Sequence, residues 1–145
     1  MAAAGPHFLA SAIPRPRDVM VLYAYNQQVS PPAPFVHVSV RPPYEGAAGI
    51  TVPAQIDTAA DLSVIPGRLV EELQLVPLDS VAALGFGGHL LTLPTYLVEL
   101  RVRELDPVTV KALASPDEPH ALLVRDVLNR FTILLDGPNL VLELR

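Results

Sequence analysis

Short stretches in which apolar and polar residues alternate, separated by turns rich in proline and glycine, run the length of this chain. From Phe35 to Val40, Val36, Val38 and Val40 share one face, and His37 and Ser39 share the other. That is the period of a half-buried strand. Tyr96 to Arg103 repeats it, with Val98, Leu100 and Val102 set against Glu99, Arg101 and Arg103. Further strands are predicted at Val19 to Tyr25, Ile50 to Ile56, Val108 to Ala114, Phe131 to Leu135 and Leu140 to Leu144. Two more flank a glycine-rich hairpin tip, Leu84 to His89. A helix is predicted over Pro66 to Leu75, with Pro66 in its first turn and Leu69, Val70 and Leu73 on one face. Ala121 to Leu128 reads as an apolar strand running into a short helix. The connectors are the stiff Ser30 to Pro34 segment, the loops Arg41 to Gly49 and Ser115 to His120, and the turn Asp136 to Asn139. Many short strands with regular turns make an all-β domain, a small closed barrel or a sandwich.

Composition narrows the chemistry. The 145 residues fit one domain, half of them apolar and 17% charged, and sixteen prolines disfavour long helices. Pro14 and Pro16 make Met1 to Arg17 a poorly ordered arm. A net charge of −5, with ten scattered Lys and Arg residues, argues against a nucleic-acid partner. The absence of cysteine excludes disulfides, thiolate zinc sites and cysteine nucleophiles. His7, His37, His89 and His120 lack metal-ligand spacing, so neither a metal nor another cofactor is expected. The serines lack a nucleophile-elbow context, and no phosphate-binding glycine loop precedes a helix. Prolines and charges interrupt every apolar stretch, so no membrane span is expected. Met1 to Ile13 has no basic n-region, so no signal peptide is expected and the expected location is cytoplasmic.

The segment Ala54 to Pro66 (Ala-Gln-Ile-Asp-Thr-Ala-Ala-Asp-Leu-Ser-Val-Ile-Pro) carries the most specific signal. It puts one carboxylate, Asp57, on a tight loop between two buried runs, where a charge needs a reason to sit. In a turn that reason is commonly the capping of backbone amides. Ile56-Asp57-Thr58-Ala59-Ala60-Asp61 resembles the active-site loop of the single-domain retropepsin-like aspartic proteases. Gly85-Phe86-Gly87-Gly88 falls where that family has its flap. Leu122-Leu123-Val124-Arg125-Asp126-Val127-Leu128 is similar to its apolar-apolar-Gly-Arg-Asp/Asn segment. Three motifs in the family's order are more specific than one. The resemblance covers residues 31–145 as the protease domain and leaves outside it residues 1–30, the arm and first strand.

The resemblance implies a closed all-β barrel with a glycine-rich flap hairpin and one short C-terminal helix. It implies an aspartic endopeptidase with Asp57 as the catalytic residue. The reaction needs two carboxylates sharing a proton, and this chain holds one such loop, so a homodimer supplies the pair. Thr58, Ala59 and Ala60 would form the loop and support the dyad. Ala59, Asp61, Gly85, Phe86 and Gly87 would meet an extended polypeptide substrate. Arg125 would pair with Asp61, Asp126 would support the loop, and Leu140 to Leu144 would build an inter-subunit sheet. Ala59 and Val124 stand where the family usually has glycine. Either side chain is accommodated, or it narrows the cleft and leaves a dimerisation or peptide-binding module with impaired turnover.

Overall fold

Where valine alternates with polar residues, strands form. The computed structural model describes residues 19–84 and 87–145. The expected N-terminal arm, and Gly85 and Phe86 of the hairpin tip, lie outside the described residues. The strands are β1 (Val21–Ala24), β2 (Phe35–Arg41), β3 (Ile50–Ile56), β4 (Val64–Pro66), β5 (Pro77–Leu84), β6 (Leu90–Arg101), β7 (Val108–Ser115), β8 (Ala121–Leu123), β9 (Ile133–Asp136) and β10 (Val141–Leu144). Two short helices interrupt them, α1 (Arg68–Glu72) and α2 (Arg125–Leu128).

A seven-stranded sheet runs β2-β3-β8-β4-β7-β6-β5, and β6 also pairs with β2, which closes six of the strands into a barrel. The seam joins Ser39, Val40 and Arg41 to Arg101, Leu100 and Glu99. Arg41 donates to both Glu99 carboxylate oxygens across it, at 2.7 and 2.9 Å. That hydrogen-bonded guanidinium holds the Glu99 carboxyl below its ordinary range. The inward residues Val36, Val38, Val40, Ala54, Val98 and Ala112 are fully buried, as the alternation requires. Each buried valine contributes roughly 1.5–3 kcal/mol relative to an exposed one.

The long β6 changes partners along its length. Its first half pairs with β5 in a hairpin that stands clear of the barrel, leaving Leu84, Leu90 and Leu91 exposed. Its second half lies in the barrel between β2 and β7.

Two expectations change here. Pro66 closes β4 rather than opening a helix: it pairs with Ser115 in parallel register, and the Gly67 amide donates to Ser115 O at 2.8 Å. A Cβ at Gly67 would lie 3.1 Å from Pro116 Cα, so the close passage of the β7–β8 loop favours glycine. The helix then spans only Arg68–Glu72, and Gln74 turns left-handed at φ 51 before Leu75. Leu69 and Leu73 are buried and Val70 is half-buried, so the predicted face is the one that packs.

The second change concerns the last strand. β10 lies in the middle of a separate three-stranded antiparallel sheet, β1-β10-β9. Both of its edges are already hydrogen-bonded within the chain, so it has none to offer a second subunit. Among the described residues β9 pairs on one side only, and Leu134 and Leu135 on it are exposed.

Candidate active site

β3 delivers Asp57 to a loop that is fixed from two directions. The Asp57 amide donates to Leu123 O on β8 at 2.9 Å, extending the parallel β3–β8 pairing by one residue. Asp57 Oδ1 accepts the Ala59 amide at 2.9 Å, a carboxylate-closed turn. The other oxygen, Oδ2, accepts no hydrogen bond from the described residues, and Asp57 is half-buried. Thr58, Ala59 and Asp61 are exposed and Ala60 is half-buried, so the loop presents its side chains outward.

Below the loop sits α2. Asp126 grips Ser63 twice, Oδ2 accepting its amide at 2.9 Å and Oδ1 its hydroxyl at 2.6 Å. Ser63 Oγ in turn accepts the Val124 amide at 3.3 Å, and Ser63 O accepts the Leu113 amide at 2.9 Å. Ser63 is fully buried with its amide, carbonyl and hydroxyl all engaged. Ser63 is not among the residues expected at the site. A serine between Leu62 and Val64 at the start of an apolar strand is the signal, since such a side chain is buried and must find a partner.

The expected Arg125–Asp61 pair does not form. Arg125 Nε donates to Ala60 O at 3.0 Å, and the Arg125 amide points to the same carbonyl at 3.3 Å. Asp61 stays exposed to water, where an ion pair would add at most about 1 kcal/mol. Arg125 therefore ties α2 to the loop through backbone, and Asp126 ties it to Ser63.

The two departures from glycine sit comfortably. Val124 has extended backbone (φ −123, ψ −166), open to any residue, and its side chain is fully buried beneath the loop rather than projecting into a cleft. Ala59 is absent from the left-handed residues, which apart from glycines are Gln74, Arg103 and Leu140 among the described residues.

The hairpin expected to act as a flap is held at its base. Asp79 sits where the β5–β6 register slips between Pro77 and Ser80. The hydroxyl of the buried Thr95 donates to Asp79 Oδ1, and Lys111 Nζ on β7 lies 3.1 Å from Oδ2. Thr95 first, and Lys111 second, hold the Asp79 carboxyl below its ordinary range. At the tip, Gly87 (φ 85) and Gly88 (φ 76) adopt left-handed backbone that favours glycine. Gly87 makes no hydrogen bond to the Asp57 loop among the described residues.

Asp57, Ala60, Ser63, Val124, Arg125 and Asp126 thus form one braced unit, and the hairpin is a separate one. Among the described residues no group of three or more His, Asp or Glu could hold a metal ion, and no helix is long and apolar enough to cross a membrane.

No protein-family model matches the chain, and no curated protein matches it by sequence. Solved structures do. A retropepsin-like aspartic protease from Rickettsia conorii superimposes with a TM-score of 0.61 at 13% identity, covering 87% of this chain and 90% of that one. The EIAV protease in complex with the inhibitor HBY-793 gives 0.56 at 19% identity, covering 74% of this chain and 93% of that one. With its closed six-stranded barrel and the short helix behind the Asp57 loop, the chain has the retropepsin-like fold.

Proposed function

We propose that this protein is an aspartic endopeptidase that hydrolyses peptide bonds in extended polypeptide as a homodimer, with Asp57 of each subunit forming the dyad. The observation behind it is the Asp57 loop. One carboxylate oxygen holds the turn while the other is left unengaged by the described chain, and α2 braces the loop from beneath. In this reading one carboxylate of the pair takes a proton from the attacking water. The other, protonated, donates to the scissile carbonyl oxygen. A single chain supplies one such carboxylate, and a two-fold axis places the same residue opposite itself. The edge of β9 that pairs with no described strand, with exposed Leu134 and Leu135, is the surface we assign to subunit pairing. The β5–β6 hairpin closes over the substrate.

The test is cleavage of a denatured protein across a pH series, with Asp57→Asn as the paired control and molecular mass measured alongside. Two carboxylates in contact share one proton, so cleavage is expected in acid and declines as pH rises and that proton is lost. Cleavage that persists in Asp57→Asn would refute the assignment. A folded dimer that cleaves nothing at any pH would move the reading to a peptide-binding module.

A further inference from the structure

Lys and Arg look scattered along the sequence, yet the fold gathers two arginines in one concavity well away from Asp57. It measures about 420 Å³ and is lined by Tyr23, His37, Ser39, Thr51, Arg101 and Arg103. Ser39 pairs in register with Thr51 on one side and with Arg101 on the other, so three polar side chains stand abreast on the outer face of β3, β2 and β6. His37 lies two residues before Ser39 on β2, on that same face. Thr51 precedes Asp57 by six residues on β3, about 20 Å at roughly 3.3 Å per residue.

Arg103 is held in place. Its guanidinium carbon lies 4.1 Å above the Tyr23 ring, and Nη1 donates to Leu22 O at 3.3 Å. Its backbone is left-handed at φ 45, an uncommon state for a residue with a side chain. Arg101 is exposed, with no hydrogen bond or ion pair among the described residues. The Tyr23 hydroxyl is buried and has no hydrogen-bond partner among the described residues. No carboxylate lines the concavity. Glu99, two residues before Arg101 on the same face, is engaged through both oxygens by Arg41. In a chain of net charge −5, a concavity with two guanidiniums and no acid is a local inversion of sign.

We infer that this concavity binds a phosphate monoester. Two guanidiniums offer paired N–H donors, and Ser39 and Thr51 add hydroxyls. A dianion with three terminal oxygens uses that set, whereas a lone carboxylate leaves much of it idle. The volume exceeds a bare phosphate and falls in the range of small-ligand sites, so the phosphate is carried on a larger group. That group is a phosphorylated small molecule or a phosphorylated side chain.

The experiment is an amide NMR titration of the full chain at fixed ionic strength. The probes are inorganic phosphate, glycerol phosphate, a phosphoserine peptide and its unphosphorylated twin, with chloride as the control. Saturable shifts at Ser39, Thr51, Arg101 and Arg103 with the phosphate probes are expected, weakened about tenfold or more in Arg101→Gln. Arg101 makes no contact that the fold needs, so this variant is expected to keep the wild-type spectrum. Tighter binding of the phosphopeptide identifies a modified side chain as the source, and tighter binding of glycerol phosphate identifies a small molecule. Shifts that chloride reproduces, or that persist in an Arg101→Gln/Arg103→Gln double variant, overturn the site. The readout is binding, so it stands apart from whether the chain cleaves peptides.

Discussion

Placing at position 124 the glycine of the retropepsin-like pattern is expected to cost stability and to gain no turnover. Val124 is fully buried, at the N-terminal boundary of α2, with its amide on Ser63 Oγ. Val124→Gly removes three buried carbons, about 2.4 kcal/mol at ~0.8 kcal/mol each. The freer unfolded backbone of glycine adds roughly 0.5–1 kcal/mol. The loss is therefore about 3 kcal/mol before any residual cavity is counted. Unfolding entropy near 2.1 cal/mol/K per residue gives about 0.3 kcal/mol/K for a chain of this size. The melting temperature should fall by ~10 °C. Thermal unfolding by circular dichroism, checked for reversibility, measures that shift. Hydrolysis per folded molecule, read well below the transition, measures turnover. A melting temperature within about 2 °C of wild type would mean that the valine is not packed as described. A gain in turnover per folded molecule would mean that it obstructs the cleft after all.

Other perturbations separate the remaining supports. Asp126→Ala strands the buried amide and hydroxyl of Ser63 and should cost about 2–4 kcal/mol in denaturant unfolding, with Ser63→Ala/Asp126→Ala recovering part of it; a cost under about 1 kcal/mol would refute the brace. The Glu99 carboxyl is depressed by Arg41, so its contribution is present above the unfolded value and lost as pH falls through the lower folded value. Glu99→Gln should therefore lose less stability than wild type on acidification, and parallel acid-unfolding curves would count against the seam. Thr95→Val should bring the Asp79 carboxyl back up, since the hydroxyl is the first cause of its depression; an NMR titration in which Asp79 does not move would contradict that. Diluting the protein until sedimentation shows monomer should abolish specific activity while the far-ultraviolet spectrum stays constant; full activity from the monomer would rule out a dyad built from two subunits.

Local alternation made most strands legible before any coordinates. The predicted Ile50 to Ile56 strand matches β3 end for end, because Ile50, Val52, Ala54 and Ile56 at every second place leave one burial solution. Asp57 was legible for the complementary reason, as a charge between apolar runs has few places to go. What the sequence hid were pairings between distant segments. Arg125 had an attractive acid in Asp61, yet an exposed pair is worth little, and the Ala60 carbonyl lay nearer. Pro66 fits a first helical turn by propensity, but its neighbour in β7 kept it in a strand. Ser63 with Asp126, and Asp79 with Thr95 and Lys111, are linked through the barrel rather than along the chain. The place of β10 inside its sheet depends on where β1 docks, which no local pattern encodes.

The bracing of the Asp57 loop bears on what a second subunit has to supply. Among the described residues the hydrogen bonds that shape the loop come from Leu123 and Ala59 at Asp57, Arg125 at Ala60 and Asp126 at Ser63. The barrel closes on itself through β2 and β6 without a partner. In the proposed dyad a second subunit contributes the second carboxylate and the shared proton. This separates two kinds of failure. Changes at Ser63, Val124 or Asp126 are expected to act through the stability of the chain, whereas in the proposed dimer changes on β9 act through pairing. In that dimer, loss of activity with an intact fold points to Asp57, to the β5–β6 hairpin or to the interface.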